Sequence, residues 1–266
     1  MCIFYDYMCI YEYISNGTFG TVYKGCNPYY SSDLLAIKVS KNNENSKHEL
    51  KMLRFISNYT NKFHIEYKHM INLCFMEYYF ADNISCNFVF KYYKYNLFSL
   101  IQKNKLNKND IKNICFQIAA GLQYIHYMNI VHCDLKPENI LCEYNELNNI
   151  IVKIADFGSS YFINKKVNYE IVTKYYRSPE IFCNLQDKTI ITIKPCIDMW
   201  SFGIIIYILI NSDFPFKKFD NKMYKYIYEH PIKKLYDLSS IMDRLLQLEI
   251  NRYDSNKIYM ELQKIL

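Results

Sequence analysis

Residues 131–139 read Val-His-Cys-Asp-Leu-Lys-Pro-Glu-Asn, and seventeen residues after Asn139 comes Asp156-Phe157-Gly158. Asp134 is a carboxylate that can accept a proton, while Asn139 and Asp156 carry the hard oxygen atoms that Mg²⁺ prefers. A base candidate and two metal-ligand candidates in so short a stretch point to phosphoryl transfer, which needs little covalent help and much positioning and charge neutralisation. Asp-Phe-Gly alone recurs by chance and marks a turn; the nine-residue run with Pro137 does not arise so readily.

The two runs match the catalytic loop and the metal-binding loop of eukaryotic protein kinases, H-R-D-L-x-x-x-N and D-F-G, so the chain resembles that family. The resemblance implies roles. Asp134 would take the proton of the substrate hydroxyl, Asn139 and Asp156 would hold Mg²⁺, and Lys136 would set a positive charge beside the transferring phosphoryl oxygens. The family carries a Lys there when the acceptor is Ser or Thr. Thr173, three residues before Tyr176, fits the family threonine that bonds the catalytic Asp and Lys.

Residues 14–22, Ile14-Ser15-Asn16-Gly17-Thr18-Phe19-Gly20-Thr21-Val22, stand where a kinase Gly-rich loop should be, ahead of a strand with Ala36-Ile37-Lys38-Val39. Glycines let the backbone approach phosphate oxygens. Ser15 takes the place of the first glycine of G-x-G-x-x-G, and a hairpin turn would also explain Gly17 and Gly20. By the resemblance, Lys38 would hold the α- and β-phosphates of ATP and pair with a glutamate of helix C. Glu49 is the choice, because Glu49-Leu50-Lys51-Met52-Leu53 puts an acid ahead of an apolar helical face. The 38-to-49 interval is short for the family and leaves that helix little freedom to swing outward. A solvated helix residue is the other reading of Glu49. Residues 87–97 read as the last N-lobe strand entering the hinge. Tyr95-Asn96-Leu97 resembles the same place in DYRK kinases, which makes Phe90 the gatekeeper and lets backbone groups from Lys91 to Tyr93 bond the adenine.

Asn109-Asp110 can cap a helix whose apolar positions Ile111, Ile114, Cys115, Ile118, Ala119, Leu122 and Ile125 recur every three or four residues. Further on, Ser178-Pro179-Glu180 resembles the A-P-E position, Asp198-Met199-Trp200-Ser201-Phe202-Gly203 the start of the central C-lobe helix, and Arg252 the late family arginine. The resemblance implies that Asp198 braces the catalytic-loop backbone and that Glu180 and Arg252 form a structural ion pair. Cys133 in place of the H-R-D arginine, the extension Ser159-Ser160 and the run Tyr176-Arg177-Ser178-Pro179-Glu180 occur together in the DYRK branch of the CMGC kinases. CLK-like splicing kinases share some of these features and stand as the runner-up. After Phe216 there is no room for the long insert common in CMGC kinases. DYRK-type enzymes autophosphorylate a Tyr seven residues before the Arg of Y-R-S-P-E, where this chain has Glu170. A phosphate carries roughly −1.5 to −2 charges and a carboxylate one, so Glu170, held by Lys174 and Arg177, would supply about half of that clamp. Tyr169 is adjacent and could take the phosphate instead, and an ordinary exposed acid is the other reading of Glu170. Arg177 resembles the CMGC residue linked to a preference for Pro after the phosphoacceptor.

The expected fold is α+β: one bilobal protein kinase domain over residues 11–266, with an N-lobe (1–90) of antiparallel sheet plus helix C, a hinge (91–95) and a mainly helical C-lobe (96–266). The length of 266 residues, 51% of them hydrophobic, suffices for such a core and leaves little room for anything else. No apolar run approaches the ~20 residues of a membrane helix; Ile204 to Ile210 reads as a buried helix. The first ten residues contain Asp6 and lack a basic start and a cleavage site, so a secretory signal is not expected. Ten cysteines without paired spacing imply reduced thiols in a cytoplasmic or nuclear protein and no zinc site. The net charge of +6 goes with abundant Lys, Asn, Ile and Tyr, as an AT-rich coding sequence would produce, and argues little for nucleic acid. Lys41 to Lys47 and Lys103 to Asp110 read as solvated loops. The expected function is ATP- and Mg²⁺-dependent phosphorylation of Ser or Thr in protein substrates, with Tyr autophosphorylation during maturation, by a monomer with no membrane or nucleic-acid partner. A kinase fold kept only as a binding scaffold is the alternative; its usual mark, loss of the Lys, the base or a metal ligand, is missing here.

Overall fold

The run Leu34-Leu35-Ala36-Ile37-Lys38-Val39-Ser40-Lys41 shows how a period of two divides a strand. Leu35 and Ile37 bury against Val89, with Val39 and Phe80 beside them. The structure, a computed structural model, describes residues 3–5, 8–17, 20–27, 34–64, 71–103, 106–215, 237–247 and 249–266. It divides into two units, Met1–Lys94 with Ala155–Gly158, and Tyr95–Ile154 with Ser159–Leu266. A linear division into lobes assigns Asp156-Phe157-Gly158 to the second unit, whereas it clusters with the first.

In the first unit the strands are β1 (Ile3–Tyr5), β2 (Met8–Gly17), β3 (Gly20–Cys26), β4 (Leu34–Lys41), β5 (Met76–Ala81) and β6 (Ser85–Lys91). They form one sheet in the order β1-β2-β3-β4-β6-β5, antiparallel at every pairing. Helix α1 (Glu44–His64) follows β4. The Asn43 side chain accepts from the Asn45 and Ser46 amides at 3.0 and 3.2 Å, and Ser46 Oγ accepts from the Asn43 amide at 3.1 Å. This reciprocal cap, with Glu44 in the first turn, starts a helix inside the stretch expected to be a solvated loop. Met52, Leu53, Ile56 and Thr60 make the buried face, and Glu49 lies on it by the three-and-four spacing.

The second unit begins with β7 (Tyr95–Asn96), α2 (Leu97–Gln102) and α3 (Lys108–Tyr127). The α3 cap is Asn107, two residues before the expected pair; its side chain accepts from Asn109 N and Asp110 N, and Asp110 returns a bond to the Asn107 amide. The stretch Lys103 to Asp110 is therefore already helical from Lys108. The chain then runs through β8 (Ile130–Val131), β9 (Ile140–Tyr144), β10 (Ile150–Ile154) and β11 (Tyr161–Phe162). β7 pairs with β9 and β9 with β10, while β8 pairs with β11. After β12 (Lys166–Val167) come α4 (Pro179–Gln186), β13 (Ile191–Thr192), α5 (Cys196–Asn211), α6 (Asp237–Leu245) and α7 (Ser255–Gln263). Helix α5 is buried on nearly every side, as a helix apolar all round must be. It packs on α6, and α3 packs on α7 and β10. Phe216 and the residues after it, to 236, lie outside the described residues, and with them the place where the long insert was expected to be missing. No described helix is long and apolar enough to cross a membrane.

Candidate active site

The first unit gathers Lys38, Glu49 and Asp156. Because Ile37 turns into the β4 core, Lys38 emerges on the opposite face, across from Phe88 in β6. Its Nζ donates to Glu49 Oε1 at 2.7 Å and to Asp156 Oδ1 at 2.9 Å. Only 2% of the Glu49 side chain is exposed. Burial works to lower the Lys38 pKa, but the Asp156 and Glu49 carboxylates outweigh it and hold the ammonium above its ordinary 10.5. For Glu49 burial dominates and pushes the carboxyl up, with Lys38 pulling it back and Asp156 adding to the rise. Two carboxylates share one ammonium here, so the cluster carries a net negative charge that suits a further cation. Asp156 sits in the left-handed region at φ 66.

Ile14, Ser15, Asn16 and Gly17 end β2, and Gly20, Thr21 and Val22 open β3. Ser15 faces Val22, Asn16 faces Thr21 and Gly17 faces Gly20, and Thr21 Oγ1 donates to Asn16 Oδ1 at 3.0 Å. Thr18 and Phe19 lie outside the described residues. A Cβ at Gly20 would stand 2.5 Å from the Val39 carbonyl oxygen, so only glycine lets the hairpin lie this close to β4. Phe90 in β6 pairs with Ala36 and Met76, and Lys91 with Leu35. The Tyr92 amide donates to Leu34 O at 2.9 Å and is thereby already used within the sheet.

In the second unit the catalytic loop hangs on Asp198, which is fully buried in α5. Asp198 accepts from the His132 amide at 2.7 Å, the Cys133 amide at 2.9 Å and His126 Nε2 at 3.0 Å. The loop turns through a left-handed Cys133 at φ 62 and ends in a short 3-10 turn, Pro137–Asn139. Asp134 is held from both sides. Its Oδ2 accepts from Lys136 Nζ at 2.7 Å and Asn139 Nδ2 at 3.3 Å; its Oδ1 accepts from Thr173 Oγ1 at 2.6 Å and Thr173 N at 3.1 Å. Lys136 Nζ also donates to Thr173 Oγ1 at 2.9 Å. Asn139 Nδ2 donates to the Asp134 carbonyl as well, at 2.9 Å, so that its amide nitrogen is engaged and its amide oxygen is the atom that could serve as a hard donor. Asn139 and Asp156 thus fit the oxygen preference of Mg²⁺, each within its own unit.

Arg177 Nε donates to the carbonyls of Ile171 and Val172, at 3.2 and 2.8 Å, and one terminal nitrogen reaches Glu170 Oε2 at 3.0 Å. Lys174 is exposed and no hydrogen bond or ion pair to its side chain is made among the described residues, so the expected two-cation clamp on Glu170 reduces to Arg177. Tyr169 donates to Tyr161 at 2.6 Å. Arg252 grips Glu180 with two nitrogens, at 2.7 and 3.1 Å, and lies over the Trp200 ring. Two contributors escaped the sequence reading. His126 bridges Asp198 to Ser255 Oγ, 3.0 Å from its Nδ1, and Val172 holds a left-handed φ of 63. A histidine at the end of an apolar helix stripe was the only signal for the first; nothing marked the second.

The protein kinase domain model matches residues 9–264. Over 200 residues, 74% of this chain, it is 32% identical to dual specificity tyrosine-phosphorylation-regulated kinase 2 of Drosophila melanogaster and spans 26% of that protein. It is 35% identical over 197 residues, 73% of the chain, to serine/threonine-protein kinase ICK of Rattus norvegicus, of which it spans 29%. Against serine/threonine-protein kinase ppk15 of Schizosaccharomyces pombe the identity is 33% over 203 residues, 74% of this chain and 36% of the relative. The family match takes in both motif-bearing units almost end to end, and the chain therefore belongs to the protein kinase domain family.

Proposed function

We propose that this chain transfers the γ-phosphoryl group of ATP to Ser or Thr hydroxyls of protein substrates, as a DYRK-like kinase of the CMGC group acting in the cytoplasm or nucleus. The observation that carries the reading is the double grip on Asp134 by Lys136 and Thr173. It fixes a carboxylate to receive a hydroxyl proton and sets an ammonium beside it, which is what an acceptor site for phosphoryl transfer requires. On the nucleotide side, Lys38 is pre-set by Glu49 to meet phosphate oxygens. Asn139 and Asp156 would hold Mg²⁺, whose chemistry when bound is to neutralise phosphate charge. The names of the relatives, two serine/threonine kinases and one dual-specificity kinase, support the same acceptor class.

A preference for Pro after the phosphoacceptor is supported by the engagement of the Val172 carbonyl. Its left-handed backbone and the Arg177 bond engage that acceptor internally, so a substrate amide gains little there and an imino acid loses nothing. The decisive experiment is ATP-dependent labelling of a generic protein substrate. Asp134→Asn and Lys38→Ala should each lower the rate roughly 10²–10⁴-fold while the proteins stay folded by circular dichroism. Nucleotide binding without any turnover by the unaltered chain would leave only the scaffold alternative.

A further inference from the structure

Cys9 in β2 and Cys26 in β3 stand directly opposite each other in the antiparallel ladder. Residues so paired share one face of the sheet, with Cα atoms about 4.5 or 5.5 Å apart and Cβ atoms about 4.5–5.5 Å apart. A disulfide needs Cα atoms about 4.4–6.8 Å apart and Cβ atoms about 3.5–4.5 Å apart. The register alone meets the first condition, and the second asks the two side chains to close by up to about 1 Å. Two features permit that closure. Gly25 precedes Cys26, and a Cβ there would lie 2.7 Å from the Cys9 carbonyl oxygen, so the strands already approach more closely than a side chain would allow. The β2–β3 register also shifts between Ile10 and Glu12 and again between Tyr13 and Ser15, irregularities that let a ladder adjust its twist. Both cysteines are half-buried, whereas Cys74, Cys86, Cys115, Cys133 and Cys142 are buried.

We propose that Cys9 and Cys26 form an oxidative modification site, closing a reversible cross-strand disulfide below the hairpin tip that carries Gly17 and Gly20. The co-reactant is a small disulfide, RSSR, of the glutathione type. One cysteine loses its proton to solvent, its thiolate attacks a sulfur of RSSR, the S–S bond breaks, and a mixed disulfide forms as RS⁻ leaves. The second cysteine, likewise deprotonated, attacks the protein sulfur of that mixed disulfide and expels the second RS⁻. Both departing thiolates take up protons, so two protein thiols are oxidised by two electrons and RSSR is reduced to two RSH. A bond closed from the wide end of that range is strained, and strained disulfides are the readily reduced ones. The bond is thus a switch and not a permanent staple. It pins the hairpin that bears Ile14 to Val22 and alters nucleotide affinity; this last consequence alone rests on the kinase reading.

The test uses the full chain in glutathione buffers of rising oxidised fraction, alkylated and digested without reduction. Mass spectrometry should find the Cys9 and Cys26 peptides joined with the loss of two hydrogens, and dithiothreitol should separate them. Cys9→Ser and Cys26→Ser should each abolish the link and collect a glutathione adduct on the remaining partner. Cys26→Val gives the same answer should serine disturb the strand. Glutathione on both residues without a link, or links that leave this pair out, would overturn the proposal whatever the activity of the chain. The KM for ATP should shift on oxidation of the unaltered chain and stay constant in Cys26→Ser; an unshifted KM in the linked protein overturns the coupling to nucleotide.

Discussion

The Thr173 hydroxyl gives to Asp134 and receives from Lys136, so one side chain orients both of these groups. Hydrogen bonds to charged partners are worth about 1.5–3 kcal/mol, and each 1.4 kcal/mol is about tenfold in rate. Thr173→Val, which keeps the shape and removes the hydroxyl, should therefore lower kcat roughly 10–100-fold with the KM for ATP unchanged. Thr173→Ser should recover most of the loss, and a Val variant with full kcat would remove the hydroxyl from the account. Glu170 presents the opposite case. Its side chain is 75% exposed, and exposed pairs contribute about 0.2–1 kcal/mol, so Glu170→Ala should change activity only a few-fold. Arg177→Ala should cost far more, because it also releases the Ile171 and Val172 carbonyls and the strained Val172 backbone. Assays of phosphatase-treated protein beside these variants would show whether the segment holds without phosphate; strong dependence on phosphate sinks that idea. Sequence spacing misassigned Lys174 for a physical reason. Lys174 came from the family's placing of basic groups four and seven residues on, but here the chain runs through left-handed Val172 and a 3-10 turn, Lys174–Tyr176, and only Arg177 comes back to Glu170.

At the scale of elements, legibility followed period. Helix α3 was readable because its apolar positions repeat every three or four residues, and α5 because nearly all of its residues are apolar. The start of α3 was misread by two residues, since Asn109-Asp110 and Asn107 are equally good caps by composition and only geometry decides. The outcome can be checked on stability: Asn107→Ala should lose about 1 kcal/mol in urea unfolding, whereas Asn109→Ala should lose little, because the Asn109 side chain caps nothing. Equal losses from both would refute the assigned cap. The start of α1 was hidden for a related reason. Residues 41–47 have no apolar period, and the helix there begins on side-chain caps and a dipole-matched Glu44 before the apolar part of its buried face starts at Met52. The Cys9–Cys26 pairing was beyond reach, since two register shifts separate strand spacing from strand partnership. Lys38 and Glu49 were within reach because Ala36-Ile37-Lys38 resembles the family strand and Glu49 leads an apolar helical face.

The distribution of buried protons sets how the two units respond to pH. In the second unit burial pushes the thiols of Cys142 and Cys196 from 9.0 up to about 12, and it raises Cys115 and Cys133 as well. Burial also raises the Tyr161 and Tyr176 hydroxyls above their ordinary 10.0, with Tyr169 adding to the effect on Tyr161. For each of these groups the folded state holds its proton more tightly than the unfolded chain does. Its contribution to stability is therefore complete below the unfolded value and drains away as pH rises through the folded one. For the thiols that window opens at 9.0 and runs to about 12, and each tenfold tightening of proton binding is worth about 1.4 kcal/mol. In the first unit the buried Glu49 carboxyl drains from its ordinary 4.5 upward, while on the alkaline side Tyr79 acts from 10.0 up to about 12 and the raised Lys38 only above 10.5. On the alkaline side the second unit should thus begin to lose stability at a lower pH than the first, from 9.0 against 10.0. Thermal unfolding followed by circular dichroism should show a progressive fall in Tm as pH rises above about 9. Hydrogen exchange should locate the early loss in α3, β9 and the catalytic loop, where Cys115, Cys133 and Cys142 reside. Cys142→Ala should soften the alkaline decline, since alanine has no proton to surrender; a decline as steep as that of the unaltered chain would mean that this buried thiol does not set the slope.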